Sequence, residues 1–335
     1  MTKFWLIIAF FISLYCCKND SPVLIPDVNN IDANIRFHRF DRDLFALNTD
    51  SLYETVPAFA AKYGNFFDLF TYRIIAIGGI DNITFPDHLK LFLTDKINLE
   101  VYDYTQDIYS STEDVEKEIN QAFKYYKYYY PDSIIPEIYF YFSRFNHSIV
   151  TDSGFIGIGL DKYLGNTCTY YKAMELPWYM QYKMTRDMLP VDCMRAWTNA
   201  QFEFNDSKND LISHMIYKGK IQYFLKSLFP EKSDTILWGF SSNQLNWCIE
   251  NEQNIWLNLI DNKLLFSTDY MNLKRYTEDG PFTTPFSNQS PARACVWLGY
   301  RIVSSYLKNN PDISLQDLME EDNYQKILNN SYYEP

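Results

Sequence analysis

The pattern of apolar and polar positions is most regular between Met188 and Phe229, where it predicts two helices joined by a polar loop. The first predicted helix covers Asp192–Phe204 and the second covers Asp210–Phe229. In the second helix, apolar residues recur at helical spacing: Leu211, Ile212, Met215, Ile216, Ile221, Phe224, Leu225 and Leu228. One face of this helix is therefore expected to be buried, against the first helix. The loop between them contains capping and turn residues: Asn205, Asp206, Ser207 and Asn209.

Elsewhere the pattern predicts further helices and a few short strands. Strands are predicted over 35–41, 137–143 and 155–160, with 148–150 as a candidate for another. Helices are predicted near Leu44 and over 50–63 (interrupted at Pro57), 66–77, 86–95, 112–130, 233–240, 242–266 and from Pro291 onward, whereas 269–289 is predicted to be a polar loop. The predicted fold class is α+β, predominantly helical with a small central β-sheet. Residues 35–335 are expected to form a single globular domain.

A run of tyrosines closes the helix predicted over 112–130, immediately before Pro131. It consists of Tyr125, Tyr126, Tyr128, Tyr129 and Tyr130. One interpretation is a platform on which sugars or bases stack. The favoured interpretation is a helix end with half-buried tyrosines, because these side chains bury their rings and keep their hydroxyls hydrated.

The first residues have the pattern of a processing signal rather than of a folded element. Lys3 supplies a positive charge, and the apolar run Phe4–Ile12 follows it. That run is too short to span a bilayer, which takes about 20 residues. We expect residues 1–16 to be a lipoprotein signal peptide that is removed.

The residues before Cys17 form a lipobox. Leu14 and Cys16 stand three positions and one position ahead of it, where an aliphatic and a small residue are required. We therefore expect a lipidated Cys17 at the mature N-terminus and a tether over 17–34, since several acyl chains together give stable membrane anchoring. The alternative is a secretory peptide that is cleaved without lipidation.

Composition and charge narrow the classes of function. The 335-residue chain is 47% hydrophobic and 18% aromatic, which supports a large core and excludes disorder. Its formal net charge is −12, and loss of Lys3 with the signal peptide leaves −13. No basic tract interrupts this composition, so no nucleic-acid partner is expected, and electrostatic attraction to anionic lipid is disfavoured.

Four cysteines remain beyond Cys17: Cys168, Cys193, Cys248 and Cys295. In an exported protein they can form disulfides in three full pairings, and buried free thiols fit the sequence equally well. Cys193 and His214 are also conceivable as a thiolate pair. A buried structural cysteine and a surface histidine are the favoured interpretation.

The two helices described first resemble the active-site helices of the zinc peptidases called gluzincins. In that family the first helix carries H-E-x-x-H and the second carries a glutamate ligand. At the corresponding positions this chain has Met194, Arg195, Thr198 and Lys218. Methionine and threonine are poor zinc ligands, and two cations repel a metal ion. The four histidines, at 38, 88, 147 and 214, include no pair one helical turn apart. The resemblance therefore implies a degenerate metal site, with no metal, no other cofactor and no catalytic residues.

The space between the two helices is the candidate groove for a partner. Its candidate residues are Met194, Arg195, Thr198, His214 and Lys218. Two interpretations of the cations stay open. In the simpler one, Arg195 and Lys218 are neutralised internally, for example by Glu203 or Asp192. In the other, they receive an acidic segment of a partner, which arginine can bind in bidentate fashion.

Taken in order, several segments resemble the gliding-motility lipoprotein GldB family of Bacteroidetes. They are the lipobox Cys17, the segment Arg39–Asp41, the helix at Met194–Trp197, the stretch Met215–Phe224 and the stretch Pro291–Gly299. The resemblance implies a non-enzymatic, degenerate relative of predicted zinc peptidases. It also implies a lipid-anchored protein of the cell envelope, on the periplasmic side of the outer membrane, that binds proteins of the gliding and type IX secretion machinery. A zinc-type peptidase with an unusual site and a glycan-binding lipoprotein remain as alternatives.

Replacing Cys17 by Ser is expected to give an unlipidated protein, because serine cannot form the thioether that carries the lipid. Metabolic labelling with a palmitate analogue measures this. Equal labelling of the wild type and of Cys17→Ser would reject Cys17 as the anchor.

Overall fold

The computed structural model describes residues 25–335, and within that range no helix is long and apolar enough to cross a bilayer. The predicted signal peptide, Cys17 and the first residues of the predicted tether lie outside the described residues. In the rest of that tether, Val28 and Ala33 are buried, and Ala33 packs into the main core. The packed structure therefore begins ahead of Ile35.

Helices dominate the described chain. They are α1 (Phe40–Phe45), α2 (Leu52–Tyr63), α3 (Asn65–Leu69, continued by a π-helical turn Phe70–Ile74), α4 (Phe85–Thr94), α5 (Lys96–Ile108), α6 (Glu113–Tyr129), α7 (Thr169–Ala173), α8 (Trp178–Gln181), α9 (Leu189–Gln201), α10 (Leu211–Leu228), α11 (Asp234–Trp238), α12 (Ser242–Glu250), α13 (Glu252–Asp261), α14 (Tyr270–Thr277), α15 (Ala294–Asn309), α16 (Leu315–Glu320) and α17 (Tyr324–Ser331). The two helices predicted around the polar loop correspond to α9 and α10. The side chain of Asp210 caps α10 by accepting the N–H of Ser213 at 3.0 Å.

A small mixed sheet accompanies the helices. Its strands are β1 (Phe37–His38), β2 (Glu137–Tyr141), β3 (Ile149–Asp152) and β4 (Phe155–Gly159), in the order β1–β2–β4–β3. The strands β1, β2 and β4 are parallel, and β3 pairs antiparallel with β4 as a hairpin. The predicted strand over 35–41 is short because α1 begins at Phe40. The predicted α+β class, predominantly helical with a small sheet, is confirmed.

Three segments differ from their predicted boundaries. Helix α2 continues through Pro57. Proline lacks the N–H group, which removes one hydrogen bond, but the burial of Val56 and Phe59 on either side stabilises the helix. The helix predicted over 242–266 is divided at Asn251 into α12 and α13. The predicted polar loop over 269–289 contains α14, whose start is capped by the side chain of Asp269.

The tyrosine run closes α6 as a half-buried helix end. Tyr126 is buried and stacks on Tyr130, with ring centroids 5.4 Å apart, whereas Tyr128 is 47% exposed. The rings pack against Phe202 and Phe224 of the neighbouring core. This arrangement agrees with the favoured interpretation of the run.

Helix α10 lies at the centre of the helices that follow the sheet in the chain, which we call the larger helical part. Its buried residues lie on several sides and include the polar Lys220 and Gln222, which are 3% and 2% exposed. The predicted contact with α9 is present, but the most extensive packing of α10 is against α15. The main partner of this helix therefore comes from much later in the chain.

Two glycines bring the backbones of α10 and α15 into contact. A Cβ atom on Gly219 would lie 2.3 Å from the carbonyl carbon of Gly299. A Cβ atom on Gly299 would lie 1.8 Å from the carbonyl oxygen of Met215. Because the atoms in the way are backbone atoms, they cannot move aside as the end of a flexible side chain would. Only glycine fits this helix crossing.

Lys220 ties α10 to the segment that follows α16. Its Nζ donates hydrogen bonds to the carbonyl oxygens of Met319, at 3.0 Å, and of Glu321, at 2.7 Å, and lies 5.8 Å from the ring centroid of Tyr324. Burial lowers the pKa of Lys220 to about 8. The carbonyl groups at the end of a helix favour a positive charge, so they offset part of that burial cost.

Gly219→Ala and Gly299→Ala are each expected to destabilise the protein by about 1–3 kcal/mol or more, as overpacking of a tight contact does. This loss outweighs the gain of about 1 kcal/mol in helix propensity that alanine offers over glycine. The free energy of unfolding from urea denaturation measures the effect. Gly280→Ala is the control, because its Cβ would meet its nearest neighbour at 3.7 Å. Equal stability of Gly299→Ala and Gly280→Ala would contradict the close crossing.

Candidate functional site

A cleft of about 330 Å³ opens between α9, α10, the end of α14 and the start of α15. Charged, polar and apolar side chains line it: Arg195, Asn199, Tyr217, Lys218, Ile221, Thr277, Glu278, Asp279, Arg293 and Val296. Its volume falls within the range of ligand-binding clefts, roughly 300–1,000 Å³. We call it the Arg195 cleft.

Two of the five predicted groove residues, Arg195 and Lys218, line this cleft. Met194 and Thr198 do not, because both are fully buried. Met194 belongs to the main core, and the hydroxyl of Thr198 donates to the Met194 carbonyl at 2.7 Å. The residues that α9 turns toward the cleft are Arg195 and Asn199, so the lining face is displaced by one residue from the predicted register.

His214 lies one helical turn before Lys218 on α10 but outside the cleft lining. Its ring stacks on Phe204 with centroids 4.3 Å apart, and its Nε2 lies 2.6 Å from Oδ1 of Asn209. Burial, and then the charge of Lys218, lower the pKa of His214. His214 is therefore a packing residue beside the α9–α10 loop.

Asp279 is the carboxylate around which the cations of the cleft gather. Its Oδ1 lies 2.7 Å from Nζ of Lys183 and 2.7 Å from Nε of Arg293, the latter as an ion pair outside hydrogen-bond geometry. The side chain is 55% exposed because it lies on the open wall of the cleft. Burial by the surrounding protein alone would raise the pKa of Asp279, but Arg293 and Lys183 outweigh it and lower the value to about 2. This carboxylate is ionised at neutral pH.

Arg195 is held mainly by neutral groups. Its Nη1 donates to Oε1 of Gln222 at 3.0 Å, and its Nη2 donates to the carbonyl of Leu237 at 2.7 Å. The carboxylate of Asp192 lies 4.0 Å from its Nε. Burial, and then the nearby Arg293, lower the pKa of Arg195 to about 10, so the guanidinium remains charged at neutral pH. Its charge is only partly neutralised.

Lys218 forms an ion pair with Glu278, the residue that ends α14. Its Nζ also donates to the Thr277 carbonyl at 3.0 Å. The side chain of Glu278 is 55% exposed, so water screens the pair. Of the two carboxylates suggested from the sequence, Asp192 lies near Arg195, whereas Glu203 forms no ion pair with either cation within residues 25–335.

The cleft and its immediate surroundings carry more positive than negative charge. The cations are Lys183, Arg195, Lys218 and Arg293, and the carboxylates that pair with them are Asp192, Glu278 and Asp279. Four positive charges therefore meet three negative ones, on a chain whose net charge is −12. An anion that entered the cleft would meet a local excess of positive charge.

Sequence reasoning missed Glu278 and Asp279 because the helix before them was predicted to be loop. A signal for that helix exists in the chain. The side chain of Asp269 accepts the N–H of Asn272 at 2.9 Å, which is the geometry of an N-cap. This signal is weak in the sequence, because many polar residues and two prolines follow it and are typical of a loop.

Arg293 was missed for a different reason. The dipeptide Ser290–Pro291 predicts a helix that starts at once, but α15 begins at Ala294. Arg293 adopts a left-handed conformation with φ of 59°. The hydroxyl of Ser290 instead donates to the Ser287 carbonyl at 2.7 Å and closes a turn. The backbone thereby turns the guanidinium of Arg293 toward Asp279.

Residues 25–335 contain no group of three or more His, Cys, Asp or Glu side chains placed to hold a metal ion. The cysteines Cys168, Cys193, Cys248 and Cys295 are all buried and free. Burial, and then Asp192, raise the pKa of Cys193, which disfavours a thiolate there. The likeness to gluzincins and the absence of enzymatic activity stay predictions.

Asp279→Asn is expected to lower the free energy of unfolding at pH 7, because Lys183 and Arg293 lose their shared counter-ion. The folded pKa of about 2 lies below the ordinary value of 3.8. The stabilisation is therefore fully present above the ordinary value and is lost as the pH falls through the folded value. Urea denaturation should show a constant difference from wild type between about pH 7 and 5, which shrinks between about pH 4 and 2. The control is Asp103→Asn, on the exposed surface of α5. A pH-independent difference would contradict the pairing.

Comparison with known proteins places the chain in a family. No curated protein and no solved structure matches it. A family model described as "Gliding motility protein GldB" matches residues 22–335, which is nearly the whole chain and includes every residue of the Arg195 cleft. The chain belongs to the GldB family and is a gliding-motility lipoprotein of the cell envelope.

Proposed function

We propose that this lipoprotein supports gliding by binding an acidic segment of a partner protein in the Arg195 cleft, without catalysing a reaction. The partner belongs to the gliding and secretion machinery of the envelope. The lipid anchor at Cys17 holds the domain at the periplasmic face of the outer membrane. The observation that carries the proposal is the excess of positive charge in a cleft of an otherwise acidic protein.

The internal ion pairs leave room for an incoming carboxylate. Glu278 is half exposed, and ion pairs of this kind contribute about 0–1 kcal/mol. A carboxylate from a partner can therefore replace Glu278 on Lys218 at little cost. Arg195 uses one N–H on each terminal nitrogen for Gln222 and Leu237, which leaves further N–H groups for a bidentate partner.

The acidic surface adds specificity to this site. An acidic segment is repelled by most of a chain with a net charge of −12. Within the Arg195 cleft it meets fixed cations instead. Repulsion elsewhere and attraction at one place together restrict where the segment binds.

The double variant Arg195→Ala with Lys218→Ala is expected to fold with a loss of about 1–3 kcal/mol, because the buried Oε1 of Gln222 loses its donor while its Nε2 keeps its bond to the Leu237 carbonyl. It should abolish gliding and the recovery of the partner that co-purifies with the wild-type lipoprotein. Lys226→Ala is the matched control. Lys226 is a cation on the same helix, and it pairs with Asp234 outside the cleft. A stable double variant that glides normally would reject the proposal.

A comparison of Lys218→Ala with Glu278→Gln separates docking from a purely structural role. Both variants break the same ion pair. If the pair only joins α10 to α14, the two variants should lose stability and gliding together. If the cleft binds an acidic segment, Glu278→Gln frees Lys218 and should keep or strengthen partner binding, whereas Lys218→Ala should weaken it.

A further inference from the structure

A second concave site lies at the carboxyl end of the parallel strands. A pocket of about 530 Å³ opens between the segment after β2 and the helices α4 and α5. Because β1, β2 and β4 are parallel, their carboxyl ends share this edge of the sheet, where ligands bind in open sheets. The lining residues of this pocket are all different from those of the Arg195 cleft. We call it the Arg144 pocket.

A buried carboxylate fixes the backbone of one wall. Asp161, which follows β4, has no exposed surface and accepts the backbone N–H groups of Ser143, at 3.3 Å, and of Phe145. Arg144 lies between them with φ of 58°, and Phe145 has φ of 65°. Left-handed conformations are unfavourable for residues other than glycine, and they cluster at ligand-binding sites where the surrounding structure imposes them. Asp161 imposes this one.

Arg144 lines the pocket with an exposed side chain, which forms no hydrogen bond or ion pair within residues 25–335. The loop that carries it is tied to the neighbouring wall, because Nδ2 of Asn146 donates to the Ile74 carbonyl at 3.0 Å. Arg144 is therefore a cation on a fixed backbone. The planar guanidinium suits a carboxylate, which it can bind through two parallel hydrogen bonds.

The opposite wall supplies hydrogen-bond acceptors at the start of α5. Oδ1 of Asp95 accepts the N–H of Asn98 at 2.9 Å, and the second carboxylate oxygen of Asp95 has no donor within residues 25–335. Asn98 is 2% exposed, and its Nδ2 donates to the Phe92 carbonyl at 2.9 Å. Its Oδ1 is buried without a donor in the described chain. A ligand that carries N–H groups complements this wall.

Apolar side chains lie between the two polar walls. Leu91 is 68% exposed although it lines the pocket, and Ile75 and Ile77 are partly exposed beside it. An apolar group that covered them would remove this surface from water, which is favourable in proportion to its area.

We propose that the Arg144 pocket binds the carboxyl-terminal end of an apolar polypeptide. The terminal carboxylate pairs with Arg144, the last backbone N–H groups donate toward Asp95 and Asn98, and the apolar last side chain covers Leu91. A fatty acid supplies the carboxylate without the N–H donors. A peptide with an amidated end supplies the donors without the carboxylate. Of these three ligands, the free polypeptide end is the one that complements both walls.

Fluorescence polarisation with the detergent-solubilised full-length lipoprotein tests this. The probe is a fluorescein-labelled Gly-Ala-Leu-Leu peptide with a free carboxyl end, compared with the same peptide as its amide. The amide is expected to bind at least about tenfold more weakly, because it lacks the carboxylate that forms the charge-assisted contact with Arg144. Arg144→Gln should remove the preference for the free acid, and Arg144→Lys should keep part of it. Unlabelled decanoate should displace the probe poorly.

Arg73→Gln is the matched control, because Arg73 is exposed in the same region and lies outside the pocket lining. It should bind like the wild type. Equal binding of acid and amide, an unchanged Arg144→Gln, or no saturable binding at millimolar peptide would each overturn the proposal. Lys218→Ala should bind the peptide normally, so failure of the proposed role of the Arg195 cleft would leave this result unaffected.

Discussion

The contact between the backbones of α10 and α15 determines the geometry of the larger helical part. Because Gly219 and Gly299 have no side chains, the helices approach until the Met215 carbonyl meets the second glycine. That separation fixes the positions from which Lys218 and Val296 project into the Arg195 cleft. The cleft is thus a consequence of a close helix crossing.

The electrostatics of the cleft follow from one carboxylate that serves two cations. Asp279 lies beside both Lys183 and Arg293, and their charges outweigh the burial that would otherwise raise its pKa. Arg195 is left with an amide, a carbonyl and a carboxylate 4.0 Å away. Neutral partners hold its orientation without cancelling its charge. A guanidinium in that state is suited to recognition as well as to structure.

Periodicity in the sequence predicted the elements more completely than the site. The recurrence of apolar residues located α10, and the aromatic and β-branched runs located the strands β2 and β4, because burial of a face leaves a local pattern. The same pattern contains the orientation of α9, since the apolar Cys193, Met194 and Trp197 are among its buried residues and Arg195 lies beside them. The alignment of α9 with the zinc-peptidase motif instead assigned Met194 and Thr198 to the groove, which obscured this orientation. The carboxylate of Asp279 lies 96 positions after its partner Lys183 in the chain, and no local pattern records such a pairing.

The buried ammonium of Lys220 bears on how this protein folds. Lys220 lies on α10, whereas the groups that it contacts lie within residues 319–324, about 100 positions later. Without those late carbonyl groups, α10 would bury an uncompensated charge, and without α15 it would expose its glycine-bearing face. The packing of α10 is therefore complete only when most of the chain, including α15 and residues 319–324, is present. Contacts this distant in sequence form slowly. Closure of the core around α10 therefore depends on contacts between residues about 100 positions apart, which places it late in folding.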